Sequence, residues 1–378
     1  MPGFDILQDL DPHNTVIRVI GVGGGGGNAV NHMVENNAEG IEFIAANTDH
    51  QALTHSKANV TIQLGSTGLG AGSKPEIGAA AAEEKRAEIT DALRGTNLLF
   101  ITAGMGGGTG TGASPVIADI AKELGILTVA VVTKPFSFEG GRRMRLAEKG
   151  IEALRDKVDS MIVILNEKLE SVCSPNATMS ECFAASNDVL YKACVGIADI
   201  IHTPGVINVD FEDVKTVMSV RGTAIIGMAT ASGPNRAREA AESAISCPLL
   251  EGANLQGARG LLAYFTGGES VTLAEIREAM GVLNNFTKKS ADIIFGSALD
   301  ASMGEALRVT LVATGLDEDS PDAPAAAADE PRAPVVNVGL GQPAASAAEP
   351  QAICQPAQEE QKSAPRIPTI PRFLQGKN

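Results

Sequence analysis

Gly104-Met105-Gly106-Gly107-Gly108-Thr109-Gly110-Thr111-Gly112 is the stretch whose reading decides the fold. The apolar run at 97–103 before it reads as a buried strand, and 113–124 after it repeats apolar residues at helical spacing. Glycines between a strand and a helix let backbone N–H groups converge on an anion with no Cβ in the way. The helix start adds partial positive charge and unpaired donors. Thr109 and Thr111 add hydroxyls that can bond phosphate oxygens. The stretch reads as a phosphate cradle. It is not the common P-loop, because no Gly-Lys-Ser or Gly-Lys-Thr occurs in the chain. Backbone, helix dipole and a metal ion are left to neutralise the phosphates.

Outward from the cradle, strand and helix patterns alternate. A strand at 15–20 runs into a second glycine cluster, Gly21-Val22-Gly23-Gly24-Gly25-Gly26-Gly27-Asn28, with a helix expected over 29–36. A strand at 41–46 ends in Asn47-Thr48-Asp49, and a strand at 59–64 leads into a loop at 65–73. One helix is expected over 75–93, opened by Pro75 in its first turn. Strands at 126–133 and 161–165 complete the series, the second ending at Asn166. This alternation predicts an α/β fold: a doubly wound, mostly parallel sheet with helices on both faces. A long helix at 179–202 is long enough to cross between two domains. Helical patterns at 213–219, 236–246 and 273–282 and strands at 224–229, 258–265, 291–298 and 307–313 predict a second, α+β domain. The segment 317–365, rich in Ala, Pro, Asp, Glu and Gln, is expected to be a disordered linker. Arg366-Ile367-Pro368-Thr369-Ile370-Pro371-Arg372-Phe373-Leu374 places apolar anchors between prolines and reads as a docking peptide.

Composition removes several function classes. A net charge of −15 argues against nucleic acid and anionic membrane as direct partners. There is no apolar run near ~18 residues and no charged-then-apolar leader. Cys173, Cys182, Cys194, Cys247 and Cys354 lack paired spacing and read as reduced thiols of a cytosolic protein. His13, His32, His50, His55 and His202 are scattered, so no protein metal site is expected and the histidines read as surface or core residues.

Two glycine loops at the carboxyl ends of strands in one sheet fit a nucleoside triphosphate gripped on both sides. Gly21-x-Gly23-x-x-Gly26 with Asp49 also fits a dinucleotide fingerprint, which keeps an NAD-dependent enzyme as the rival; it leaves the second loop unexplained. Asn28, Glu139, Arg143, Asn166, Asn187 and Asp188 lie at loop ends or helix starts near the same sheet edge and suit a purine edge, ribose and phosphate. Asn208-Val209-Asp210-Phe211-Glu212-Asp213 follows the long helix. Asp210 and Asp213 read either as a helix cap or as carboxylates that orient a water or cation at a γ-phosphate. The length of the helix keeps them from their own subunit's cradle but not from a neighbour's.

These motifs together resemble the FtsZ family of bacterial tubulin-like cell-division GTPases. Gly106-Gly107-Gly108-Thr109-Gly110-Thr111-Gly112 is similar to the tubulin signature, and Lys134-Pro135-Phe136-Ser137-Phe138-Glu139-Gly140 and the 208–213 loop follow in order. The resemblance spans 15–316, with Ile370-Pro371-Arg372-Phe373-Leu374 similar to the family's tail peptide. It implies a flexible N-terminus at 1–14, a GTP-binding domain at 15–178, a core helix at 179–203, a C-terminal domain at 204–316 with a catalytic loop at 206–213, and a partner-docking peptide at 366–378. Gly23, Gly24, Gly25, Gly26, Gly27, Asn28, Gly106, Gly107, Gly108, Thr109, Gly110 and Thr111 would hold phosphates. Glu139, Arg143, Asn166, Phe183, Asn187 and Asp188 would hold ribose and guanine. Asn208, Asp210 and Asp213 would act in trans on the next subunit's GTP within head-to-tail filaments. The implied ligands are GTP and GDP with Mg²⁺ bound through the phosphates, and K⁺ as a further candidate ion. The implied partners are copies of the chain and membrane-tethering and regulatory division proteins at the mid-cell site, without direct membrane insertion. A tubulin-like regulator that assembles poorly is the other alternative. The loop at 65–73 is a few residues shorter than the family's usual one, and Ser73-Lys74-Pro75-Glu76 stands in place of Ala-Asn-Pro-Glu.

Overall fold

The computed structural model describes residues 15–170, 177–203, 205–220, 222–246, 258–285 and 291–316. The expectations for 1–14, 317–365 and 366–378 lie outside the described residues.

Six short runs rich in β-branched and apolar residues form a parallel sheet. They are β1 (Ile17–Val22), β2 (Ile41–Asn47), β3 (Val60–Gln63), β4 (Leu98–Gly104), β5 (Leu127–Lys134) and β6 (Ser160–Leu165), in the order β3-β2-β1-β4-β5-β6. The connecting helices are α1 (Gly23–Glu35), α2 (His50–Thr54), α3 (Pro75–Glu84), α4 (Arg86–Leu93), α5 (Thr109–Glu123) and α6 (Gly141–Arg155). Side chains alternate between two buried faces, as a covered parallel sheet requires. Ile17 and Val19 join the core beneath α1, while Ile20 and Val22 join the core beneath α3, α4, α5 and α6. The strand order reverses between β1 and β4, so the crevice outside their carboxyl ends is the place for a ligand.

After the short α7 (Asn166–Glu170) comes α8 (Met179–His202), 24 residues long and so about 36 Å. Its start is fixed by a capping box. Thr178 Oγ1 accepts from the Glu181 N–H, and Glu181 Oε2 accepts from the Thr178 N–H. Leu190, Ala193, Cys194, Ile197, Ala198 and Ile200 are buried along it. Burial pushes the Cys194 thiol far up, which leaves it an inert core group. Then follow α9 (Phe211–Met218), β7 (Ile225–Ser232), α10 (Arg236–Ile245), β8 (Gly260–Gly267), α11 (Leu273–Asn284), β9 (Asp292–Leu299) and β10 (Ala306–Thr314). The second sheet has the order β7-β10-β8-β9, antiparallel except for β8 with β9. One face packs on α10 and α11 through Leu261, Ala263, Phe265, Val309 and Leu311. The other, with Ile226, Leu262, Tyr264 and Val312, shares a core with α8. α8 comes close enough to this sheet that a Cβ on Gly196 would lie 2.8 Å from Met228 Cε.

Three local expectations are corrected. The first helix begins at Gly23, not at 29, so the second glycine cluster forms its opening turns rather than a loop. The cradle becomes helical at Thr109, which leaves only Met105 to Gly108 as loop. The helix expected over 75–93 is two helices, because Lys85 sits at φ −103°, ψ 16° and bonds to Ala82 O instead of one residue further back.

A buried ion pair closes the far side of the second sheet. Arg236 is 5% exposed; its Nε and Nη2 donate to Glu275 at 2.6 and 3.1 Å, and it also meets Ser270, the Glu305 carbonyl and, at 3.9 Å, the Glu305 carboxylate. Glu275 also caps α11 through the Thr272 N–H and hydroxyl. These bonds, that from Arg236 above all, hold the Glu275 carboxyl at about 2 against an ordinary 4.5. A depressed carboxylate contributes stability above its unfolded-state pKa and loses it as pH falls toward the folded-state value. Urea unfolding from pH 7 down to 2 is therefore expected to show stability falling below about 4.5. Arg236→Met should remove about 3 kcal/mol at neutral pH and flatten that acid limb.

Candidate nucleotide site

Two helix starts lie side by side at the β1/β4 reversal, and neither is finished by its own chain. α1 opens after Val22 and α5 after Gly108, both without a side-chain cap and without an acidic residue in the first turn. α8, α9 and α11, by contrast, carry full capping boxes. Unpaired first-turn N–H groups and a positive helix end are an anion site.

Glycine is required here by contact. A Cβ on Gly26 would stand 2.3 Å from Thr102 O, and one on Gly21 would stand 2.4 Å from Gly26 O, so α1 lies on β1 and β4 backbone to backbone. Gly23 has φ +72°, a left-handed value, and faces Gly110 N. Gly24 and Gly27 are different: a Cβ on either meets nothing within 4 Å. They and Asn28 border a cavity of about 230 Å³ that continues past Asn47, His55 and Ser56.

The hydroxyls of the cradle are engaged unequally. Thr109 Oγ1 lies 2.6 Å from Thr48 Oγ1, which joins the cradle to the end of β2. Thr111 is buried and its hydroxyl accepts from the Gly106 N–H at 2.9 Å, so it shapes the loop. The 65–73 loop folds back onto the same edge. Gly70 N–H donates to Thr48 O, and a Cβ on Gly108 would stand 2.7 Å from Ala71 Cβ.

Beside the cradle, the start of α8 lies over the end of β6 and the turn that follows β5. Asn166, 5% exposed, accepts from Ser186 Oγ at 3.0 Å, which turns its amide NH₂ away from that serine. Phe183 meets Phe136 edge-on at 5.6 Å, and Phe136 stacks on Phe138 at 5.0 Å. Glu139 accepts from the Phe136 N–H and lies 3.1 Å from Arg143 Nε. Asp188 pairs with Lys192 at 2.7 Å. The structure thus brings the glycine clusters, Asn28, Glu139, Arg143, Asn166, Phe183, Asn187 and Asp188 to one sheet edge.

Asn208, Asp210 and Asp213 are elsewhere. α8 passes Asn166 near its start and ends at the opposite sheet edge, where His202 Nε2 contacts Thr15 O at 3.1 Å, just before β1. The loop beyond bridges to β9 through Ile207 and Ser297. Asp210 and Asp213 form a reciprocal cap: Asp213 N–H donates to Asp210 Oδ1 at 2.8 Å, and Asp210 N–H to Asp213 Oδ2 at 3.1 Å. Asn208 accepts from the Gly205 N–H at 2.7 Å. Sequence reasoning named Thr48 only within the Asn47-Thr48-Asp49 strand end, and did not single out Thr102 or Ser186. Thr48 was visible as the polar end of β2, but Thr102 shows itself only as a fully buried hydroxyl with no hydrogen-bond partner.

Among the described residues no three His, Cys, Asp or Glu side chains converge as a metal cage, and no helix is long and apolar enough to cross a membrane.

Comparison with known proteins gives two family matches. Residues 16–174 match the GTPase domain of the Tubulin/FtsZ family, and residues 222–317 match the C-terminal domain of the FtsZ family. The cell division protein FtsZ of Pseudomonas aeruginosa is 51% identical over 95% of this chain and 88% of its own length. That of Coxiella burnetii is 53% identical over 82% of this chain and 81% of its own. An FtsZ dimer from M. jannaschii superposes with a TM-score of 0.74 at 42% identity, covering 80% of this chain and 88% of its own. CetZ2 from Haloferax volcanii, in a GTPγS-bound protofilament, shares the fold at 20% identity and a TM-score of 0.68, covering 80% of this chain and 93% of its own.

The two kinds of glycine predict different phenotypes. Gly26→Ala should lower the melting temperature by several degrees, since its methyl meets the Thr102 carbonyl. Gly24→Ala should leave the melting temperature unchanged or raise it, helix propensity favouring alanine by up to ~1 kcal/mol, while weakening nucleotide binding at least ~10-fold by filling the space before the anion site. Calorimetry beside titration with a fluorescent guanine nucleotide separates the two.

Proposed function

Because the chain belongs to the Tubulin/FtsZ family of GTPases, we propose that its subunits assemble head to tail and that each GTP is hydrolysed at the junction between two of them. The observation that carries this reading is the position of Asn208, Asp210 and Asp213, one α8 length from the cradle on the opposite sheet edge. These groups cannot reach their own subunit's phosphates. In a head-to-tail stack they meet those of the neighbour, and such a heterologous contact does not close on itself.

Each edge also exposes apolar side chains suited to a dry contact. Leu69 and Phe138 are exposed beside the cradle, and Val206, Phe295 and Leu299 beside the 205–213 loop. The reciprocal cap uses one oxygen of each aspartate. The other oxygens of Asp210 and Asp213, held rigid by the cap, would orient the attacking water toward the γ-phosphate. The backbone N–H groups of α1 and α5 would hold the phosphates, Glu139 and Arg143 the ribose, and Asn166, Phe183, Asn187 and Asp188 the guanine.

Mg²⁺ would be carried by the phosphates and keep several of its waters. Thr48 and Thr109, whose hydroxyls meet at 2.6 Å beside the cradle, would receive such waters. When bound, Mg²⁺ would neutralise phosphate charge. K⁺ stands as a further ion held in the same way. In the cell, the filaments would form the cytokinetic ring at mid-cell and serve as a scaffold, with membrane tethers and regulators recruited through 366–378.

Turnover per subunit should show a threshold in protein concentration, with light scattering rising at the same point. A rate per subunit independent of dilution would place the whole site in one chain. Asp213→Ala should bind GTP normally, lose at least ~100-fold in turnover, and suppress wild-type turnover in mixtures beyond simple dilution. Deleting 365–378 should leave the GTPase threshold unchanged while abolishing co-sedimentation of membrane-tether proteins; equal recovery of those proteins would refute the docking role.

A further inference from the structure

α1 and α8 pack against one another beside the cradle. Asn28 and His32 lie one helical turn apart on α1. The ring of His32 meets Tyr191 of α8 edge-on, with centroids 6.2 Å apart at 89°. Its Nε2 is buried and has no hydrogen-bond partner, an arrangement that costs stability unless something answers it. The atom placed to answer is Asp188 Oδ1, 4.0 Å away. The other Asp188 oxygen, Oδ2, is ion-paired with Lys192 Nζ at 2.7 Å. Glu35, the neighbouring carboxylate on α1, is held by Lys57 at 2.6 Å. Asp188 is thus the carboxylate that faces the ring.

We propose that His32 is a positioning residue for guanine recognition: its Nε2 donates to Asp188 Oδ1 and fixes the carboxylate square to the purine edge. The proposal rests on the reading above that Asp188 takes the guanine. A carboxylate offers two lone pairs on each oxygen. Lys192 occupies one on Oδ2, and His32 occupies one on Oδ1 after a small rotation of either side chain. One lone pair on each oxygen then remains, side by side, matched to the adjacent N1–H and 2-amino donors of guanine. Without His32 the carboxylate turns about its Lys192 contact and presents a single oxygen. The ligand class selected is a purine nucleotide with both donors; inosine triphosphate, lacking the 2-amino group, uses only one.

The test is equilibrium binding of GTP and of inosine triphosphate to the full chain below its assembly threshold. Four proteins are compared: wild type, Asp188→Asn, His32→Leu, and His32→Gln, whose amide nitrogen reaches the position of Nε2. Wild type should prefer GTP. His32→Leu should cut that preference about tenfold, through weaker GTP binding, and His32→Gln should restore most of it. If Asp188→Asn retains the preference, the base reading itself fails. If Asp188→Asn loses it and His32→Leu keeps it, the positioning role alone is overturned. Equal weakening of both nucleotides by His32→Leu, or a His32→Gln protein that behaves like His32→Leu, overturns it too.

Discussion

The site depends on backbone lying against backbone. At Gly21, Gly26 and Gly110, carbonyl oxygens occupy the space where a side chain would begin, 2.3 to 2.7 Å from the missing Cβ. Only this spacing allows α1 and α5 to bring their first turns together above the crevice between β1 and β4. Each glycine inside a helix costs on the order of 0.5–1 kcal/mol relative to alanine. The cost is tolerated because α1 is otherwise buried along one flank, through Ala29, Val30 and Met33, and α5 is buried on nearly all sides from Gly110 to Ala118. A weak, glycine-rich start attached to a well-packed body leaves N–H groups available without unfolding the helix.

α8 carries the second organising role. It belongs to the core of both sheets, and both of its ends are tied to the first sheet: Ser186 to Asn166 just after β6, His202 to Thr15 just before β1. Tyr264 of the second sheet donates to Thr203 O just beyond it. Burial raises the Asp199 carboxyl on this helix, with Arg308 of β10 opposing the rise. Asn187 and Asp188 and the 205–213 loop are therefore attached to one rod, which fixes their separation.

Much of this could be read from the chain. The parallel alternation was legible because covered strands are continuous apolar runs, and the strands at 224–229, 258–265, 291–298 and 307–313 correspond to β7, β8, β9 and β10. Helix starts at glycine were not legible. Propensity rules count glycine as a breaker, whereas packing against β4 holds 23–27 helical. The kink at Lys85 leaves no trace in periodicity, since α3 and α4 continue the same apolar spacing. Partnerships across elements were hidden for a simpler reason. Thr48 with Thr109, and His32 with Asp188, are far apart in the chain and meet only when the sheet and α8 are assembled. Both readings of Asp210 and Asp213 were open in the sequence, and the capping geometry is now observed.

That double cap has an evolutionary side. A residue that serves only chemistry can drift once the chemistry is no longer needed, while the fold stays indifferent. Asp210 and Asp213 each hold the other's N–H at the head of α9, a contact of the kind that contributes about 1 kcal/mol to a helix start. Relatives that have given up hydrolysis would still be under pressure to keep this pair for folding. Presence of both aspartates is therefore weak testimony to turnover, and their loss is informative only alongside a replacement cap.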